Sequence, residues 1–283
     1  MKFTYILCDH GLGNRFGSII GGLRIAELTN TEPIICWPKN NWCQCDYEDL
    51  FELKFKVESN DFSLSLTDKI QEYQLPYFFL GSFDTDLSKK IYGYSIKEIN
   101  ELNQERDHLF YSNCKIPKTD MISANDVTRL LKSIPIKKEI LEKVKNFCEK
   151  NNISKTTLGI HLRKTDTPSI ADENHIFNEV KNNSSINYFL CSDSKDTESR
   201  FLKLSNVTVY QKQSEVSKII EGEWRQSVLD QQGNKILFNI NRPKEQIVDA
   251  LIDMLILSRT SIKRKSKSTF CTTAERFSGL ELY

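Results

Sequence analysis

The sequence predicts an α/β protein built as two α/β halves in tandem, and three observations lead there. An apolar strand pattern at Phe3 to Leu7 runs through a glycine-bearing turn into a helical pattern and then a second strand. The same rhythm restarts at Thr156 with LGIHL, INYFLCSD and NVTVY as strands and helical segments among them. Between the two runs, Ile136 to Asn151 reads as an amphipathic, Lys/Glu-rich surface helix ending in Asn-Asn, a natural point of hand-over. Strands that alternate with helices argue for parallel sheets. The expected domains are 1–150, an N-terminal α/β domain, and 151–283, a C-terminal one.

Element by element, the first half opens with the strand at Phe3 to Leu7, a helix through Ile19, Ile20, Leu23, Ile25 and Leu28, and a strand at Pro33 to Trp37. The stretch from Asn60 to Asn125 is polar and mixed, with FSLSLTD and LPYFFLGSFD expected as short strands. A helical period returns over Asn125 to Ser133. Late in the chain, Pro243 opens a helix whose Ile247, Leu251, Met254, Leu255 and Leu257 face a core. IKRKSK, residues 262–267, is a solvated turn or an aid to holding a phosphate or an acidic acceptor.

The 39 basic residues nearly cancel the 38 acidic ones, leaving a formal net charge of +1. No bulk field gathers nucleic acid by counterion release, so any anion site is local and nucleic acid is not an expected partner. The N-terminal apolar stretch is too short for a signal peptide's core, and no window approaches the roughly 18 apolar residues of a membrane span. A cytoplasmic protein without a membrane span is expected. The eight Cys, at 8, 36, 43, 45, 114, 148, 191 and 271, are scattered and read as reduced, buried thiols. Cys43 and Cys45 lack a second ligand pair nearby, so no metal site is expected.

Four segments place chemistry-bearing residues at strand ends or helix starts. In DHGLGNRFGSIIGGL, residues 9–23, Gly11, Gly13 and Gly17 would let the backbone turn tightly and free helix N–H groups for an anion or a sugar hydroxyl, with Asn14 and Arg15 supplying polar reach. In LGIHLRKTD, residues 158–166, His161 and Arg163 fall on one side of a strand that ends in Lys164, Thr165 and Asp166. An Arg there can bind a diphosphate through two parallel N–H bonds, or pair structurally with a carboxylate. FLCSDS, residues 189–194, puts Asp193 at the carboxyl edge of another strand, where a nucleobase or ribose binds in open α/β sheets; a helix N-cap at Ser192, Asp193 or Ser194 is the rival reading. Asp253, isolated among apolar neighbours in the long helix, must have a partner. The segment holding Ser268, Thr269, Phe270, Thr272 and Thr273 starts the last helix, whose N-terminus suits a phosphate.

Together, GLGNRF, HLRKTD, CSDS and the DMLILS...STF block resemble the fucosyltransferase-like superfamily, which contains the α1,6-fucosyltransferases, the bacterial nodulation fucosyltransferases and the protein O-fucosyltransferases. The likeness keeps the same order from about residue 9 to residue 280. It implies a GT-B arrangement of two Rossmann-like domains with a central cleft, the donor GDP-fucose on the C-terminal domain and an oligosaccharide or glycoconjugate acceptor on the N-terminal one. It also implies inverting transfer without a metal or other cofactor. Carried over, Arg163 looks like the arginine that neutralises the donor diphosphate, His161 like the residue beside guanine, and Asp253 like the reader of the guanine edge. Asp193 lies in the nucleotide-facing acidic motif, and Thr272 would bind a phosphate oxygen. Gly13, Asn14, Arg15, Lys164, Ser268, Thr269 and Phe270 complete the expected donor-binding set.

Three departures stand out. Lys164 occupies a position where relatives often have a second Arg, and Cys271 replaces a serine. The carboxylate that the α1,6 enzymes carry past Asp166 falls at Ala171, with Asp172 and Glu173 beside it. Asp172, Glu173, Asp9 and His10 all remain open as general base. A different GDP- or UDP-sugar donor, or a scaffold that binds glycan or nucleotide without turnover, are the alternatives.

Overall fold

The structure is a computed structural model that describes residues 2–72, 78–82, 107–112, 122–165, 173–229, 235–236, 238–264 and 268–280. By its contacts the chain forms two compact units, Met1–Asn40 with Asp46–Lys137, and Asn41–Cys45 with Lys138–Glu281.

The first unit contains β1 (Phe3–Leu7), α1 (Leu12–Thr29), β2 (Glu32–Cys36), α2 (Tyr47–Leu50), β3 (Lys56–Val57), α3 (Asn60–Glu72), β4 (Phe78–Ser82), β5 (His108–Ser112) and α4 (Ala124–Ser133). Its sheet runs β3-β2-β1-β5-β4, with β4 antiparallel to β5 and the other pairs parallel. In this register Leu7 lies between Cys36 of β2 and Tyr111 of β5, so three parallel strands end side by side where β1 passes into the 8–11 loop.

FSLSLTD is helical, not a strand. Its five-residue alternation fits both periods, and the i, i+4 pairing decides. Phe62 and Leu66 lie against the Leu7, Leu109 and Tyr111 cluster, while Ser63 and Thr67, also four apart, are buried beside them. The Ser59 hydroxyl accepts the Phe62 N–H at 3.3 Å, starting the helix. LPYFFLGSFD does contain the expected strand, β4.

The second unit contains α5 (Lys138–Lys150), β6 (Leu158–Leu162), α6 (Glu173–Asn182), β7 (Tyr188–Ser192), α7 (Lys195–Phe201), β8 (Val207–Thr208), β9 (Val228–Leu229), β10 (Lys235–Ile236), α8 (Lys244–Arg259), β11 (Ser261–Arg264) and α9 (Thr269–Phe277). Four parallel strands run β11-β6-β7-β8. Both faces of β6 and β7 are covered, which is why Gly159 through Leu162 and all of β7 are buried. One face packs Ile160, Leu162 and Leu190 on α6 and α7 through Ile176, Val180 and Phe201. On the other, a side chain at Gly159 would begin 2.7 Å from Leu257 of α8, so glycine lets that helix sit close.

α5, expected to close the first half, belongs to the second unit, where its buried Ile140, Val144 and Cys148 stripe packs beside α8. The unit boundary therefore lies at Lys137/Lys138 rather than after 150. NVTVY pairs only at Val207 and Thr208. IKRKSK begins inside β11, an edge strand, rather than in a turn; residues 265–267 lie outside the described residues. Among the described residues no helix is long and apolar enough to cross a membrane, and none of the seven described cysteines is in a disulfide.

Candidate functional site

In the second unit the predicted residues gather where β6 and β7 end and α9 begins. His161, the fourth residue of β6, is 8% exposed; its ring stacks on Phe270 at 4.6 Å with planes 17° apart, and Nδ1 lies 3.3 Å from Cys271 Sγ. The first turn of α9 is thereby fixed against the strand end. Burial pulls His161 down to about 4 against the upward influence of Asp193, so its ring is neutral near pH 7. Arg163 follows one residue past the strand and is half-buried.

Asp193 shapes this turn. One carboxylate oxygen accepts the Lys164 N–H at 2.6 Å and the other accepts the Thr165 hydroxyl. Both oxygens thus hold the backbone on which Arg163 sits. The rival N-cap role belongs to its neighbour: Ser194 caps α7 by accepting the Thr197 N–H at 3.3 Å.

Glu173 opens α6 and is bound three times, by Lys164 Nζ at 2.7 Å, Arg200 NH1 at 3.0 Å and the Thr197 hydroxyl at 3.2 Å. Burial would raise its pKa, but these donors more than reverse that and hold it below the usual carboxylate value. The three donors favour its ionised form, so protonation is disfavoured and Glu173 is a weak base. Asp172 and Asp166 lie outside the described residues.

The partner required by Asp253 is Lys212, with Nζ 3.0 Å from Oδ2. The same ammonium meets Glu198 and donates to the Ser192 carbonyl at 2.9 Å, and Glu198 in turn accepts the Ser192 N–H at 2.9 Å. Burial pushes Asp253 up to about 7 and raises Glu198, with Lys212 opposing both shifts. Burial pulls Lys212 down, but the two carboxylates outweigh it and raise its pKa. Asp253 is 3% exposed and its Oδ1 is covered and without a hydrogen-bond partner among the described residues, so in this conformation it presents no surface to a base edge. Nothing in the sequence near YQKQS marks Lys212; only the isolation of Asp253 foretold that some cation had to arrive.

At the start of α9, the Ser268 hydroxyl accepts the Cys271 N–H at 3.3 Å, and its carbonyl accepts the Thr272 N–H and hydroxyl, each at 3.2 Å. Thr269 and Phe270 are half-buried and Thr272 is exposed. The His161–Phe270 stack sets the positive end of this helix beside the end of β6.

In the first unit the 9–15 segment behaves differently from the sequence expectation. Gly11 adopts φ −61 and ψ 160, extended backbone open to any residue, and Gly13 and Gly17 lie within α1. The expected tight glycine turn is therefore absent; a side chain at Gly11 would meet nothing within 4 Å. Arg15 is fully buried and does not reach outward. Its Nε donates to the His10 carbonyl at 2.5 Å and NH2 to the Pro38 carbonyl at 2.8 Å, with the guanidinium 4.3 Å from the Trp37 ring centroid. It clamps the ends of β1 and β2 together, a role that needs the planar fork of Arg. Asn14 is half-buried and Gly13 buried. His10 is partly exposed, with Nε2 3.2 Å from the Tyr111 hydroxyl and Nδ1 3.8 Å from Asp9 Oδ2.

Among the described residues no group of three or more His, Cys, Asp or Glu is arranged to hold a metal ion. The second unit thus places Arg163 on a fixed turn, a neutral stacked imidazole and a helix N-terminus at the carboxyl edge of a parallel sheet.

No protein-family model matches the sequence, and no curated protein does. Solved structures do match. The fucosyltransferase NodZ from Bradyrhizobium shares 15% identity at a TM-score of 0.57, over 96% of this chain and 91% of that one. The NodZ α-1,6-fucosyltransferase co-crystallised with GDP shares 16% at 0.56, over 97% and 91%. An Arabidopsis thaliana FUT1 mutant in complex with GDP shares 13% at 0.55, over 99% and 69%. The chain thus has the α/β fold of these fucosyltransferases along almost its whole length.

Proposed function

We propose that this protein is a glycosyltransferase that moves fucose from GDP-fucose to a glycan hydroxyl, by inversion and without a metal. The supporting observation is the junction of β6 and α9, where the His161–Phe270 stack fixes a helix N-terminus beside the Arg163 turn. Structures of the same fold that hold GDP add to it. In this reading the second unit takes the nucleotide sugar. Arg163 binds the diphosphate, the first turn of α9 with Ser268, Thr269 and Thr272 supplies further donors, and Asp193 holds the turn in place. The acceptor is an oligosaccharide or glycoconjugate received by the first unit.

The reaction forms a bond from the acceptor oxygen to the anomeric carbon as the bond to the phosphate oxygen breaks on the opposite face. Negative charge grows on the departing GDP, and Arg163 stabilises it more strongly in the transition state than in the ground state. Losing one such contact costs about 2–4 kcal/mol of barrier, or roughly 30- to 10³-fold in rate.

Titration with GDP, UDP and their sugars, followed by thermal unfolding, tests donor choice, because a ligand that binds only the native state raises the midpoint. GDP and GDP-fucose are expected to raise it and UDP to leave it. Arg163→Ala is expected to keep the fold and lose that response, and EDTA to leave turnover unchanged. Wild-type turnover in Arg163→Ala, or abolition by EDTA, overturns the mechanism. Binding of GDP-fucose without hydrolysis or transfer establishes a binding protein instead.

A further inference from the structure

The second unit includes a short segment from early in the chain, Asn41–Cys45, which carries two cysteines with one residue between them. Gln44 is exposed, while Cys43 and Cys45 on either side of it are 0% and 1% exposed. Residues i and i+2 of strand-like backbone share a face, so both thiols turn inward together. Their sulfurs come within 3.4 Å of one another, and both are free thiols.

The segment is pinned to the residues that lead into α8. The Gln44 N–H donates to the Arg242 carbonyl at 3.1 Å, the Arg242 N–H donates to the Asn41 carbonyl at 3.2 Å, and Gln44 forms a bridge with Pro243, the N-cap of α8. Trp42 packs edge-on against Phe238, with ring centroids 5.1 Å apart. A buried thiol by itself is a small apolar side chain, and that description serves Cys36 and Cys148. Two sulfurs already in contact are a different case, because only about 1.4 Å separates them from bonding distance.

We propose that Cys43 and Cys45 are a reversible oxidation site, closing to a disulfide with a low-molecular-weight disulfide as oxidant. The proposal is independent of the transferase reading. In the first step the thiolate of one cysteine attacks a sulfur of the oxidant, forming a mixed disulfide and expelling one small thiolate. In the second, the other cysteine loses its proton and attacks the protein-bound sulfur, and the second small thiolate leaves. Two protein thiols are oxidised and one small disulfide is reduced to two thiols. A bridge across so few residues removes little entropy from the unfolded chain and adds little stability, which suits exchange better than a permanent staple. The reagent reaches the buried pair by local opening, in which segment 41–45 lifts from Arg242 and Pro243.

The test keeps the whole chain. Reduced protein is equilibrated in mixtures of reduced and oxidised glutathione, quenched in acid, unfolded and alkylated, and the peptide spanning Cys43 and Cys45 is weighed by mass spectrometry. That peptide is expected to lose both alkylatable thiols and two hydrogens, to regain them in dithiothreitol, and to do so while the other cysteines are still alkylated. Trp42 reports the same event, since a disulfide beside an indole quenches it: emission is expected to fall on oxidation, and the fall to vanish in Trp42→Phe. Cys45→Ser is expected to stop at a glutathione adduct on Cys43 with no internal bridge. The wild-type mapping decides the matter even where that variant fails to fold. Two thiols that stay alkylatable in oxidised glutathione while the protein is native, yet bridge once it is unfolded in urea, are plain core thiols and overturn the proposal. A bridge from either one to a different cysteine overturns it as well.

Discussion

Replacing Lys212 by Met removes one charge from the second unit and keeps most of the stem that fills its space. In the wild type the ammonium lies 3.0 Å from Asp253, meets Glu198, and donates to the Ser192 carbonyl at 2.9 Å, all within the interior. Burial raises Asp253 to about 7, with Lys212 opposing the rise and the second carboxylate, Glu198, adding to it. Without the lysine, at pH 7.5, the folded chain must bury two uncompensated carboxylates or take up protons that the unfolded chain would not hold. The expected loss is about 3–5 kcal/mol, the scale of a broken buried ion pair. At pH 5 both carboxyls accept protons in the folded variant at little cost. What remains is about 1–2 kcal/mol from the missing hydrogen bonds. Linkage gives the same sign. A carboxyl whose folded pKa lies above its unfolded value adds stability that is complete below the unfolded value and lost as pH rises through the folded one. For Asp253 that window runs from the ordinary 3.8 to about 7, and removing Lys212 extends it upward. Urea unfolding at the two pH values measures the effect. An equal loss at both, or no loss at pH 7.5, refutes the reasoning.

Glu198→Gln leaves a one-to-one Lys212–Asp253 pair, so its stability at pH 7.5 should stay within about 1 kcal/mol of wild type and its dependence on pH should flatten; denaturant melts across the pH range check this. Arg15→Lys keeps the charge but not the fork that spans the residue 9, 10 and 38 carbonyls, and a loss of about 2–3 kcal/mol in chemical unfolding is expected. Asp193→Asn can still accept one bond but not hold both Lys164 N–H and Thr165 hydroxyl as strongly; GDP affinity by calorimetry should fall about tenfold, with little change in unfolding midpoint.

What the sequence made legible was whatever depends on short-range pattern. The parallel strands β1, β2, β6 and β7 and the helices α1, α8 and α9 were readable because apolar period and terminal residues act locally. FSLSLTD was misread because five residues satisfy either period, and only the Leu7, Leu109 and Tyr111 surface on which Phe62 and Leu66 rest selects the helix. The site divides along the same line. Residue types at strand ends were visible, but not which oxygen serves what: the sequence does not show that both Asp193 oxygens hold the Arg163 turn. Arg15 was expected to reach outward, yet three carbonyls left exposed by converging strand ends draw it in, and backbone carbonyls have no sequence signature. Lys212, 41 positions from Asp253, and Tyr111, 101 positions from His10, enter through sheet register and loop return alone. A buried acid announces that a cation must come; only the fold determines which one, and with it whether that acid is left able to meet a ligand.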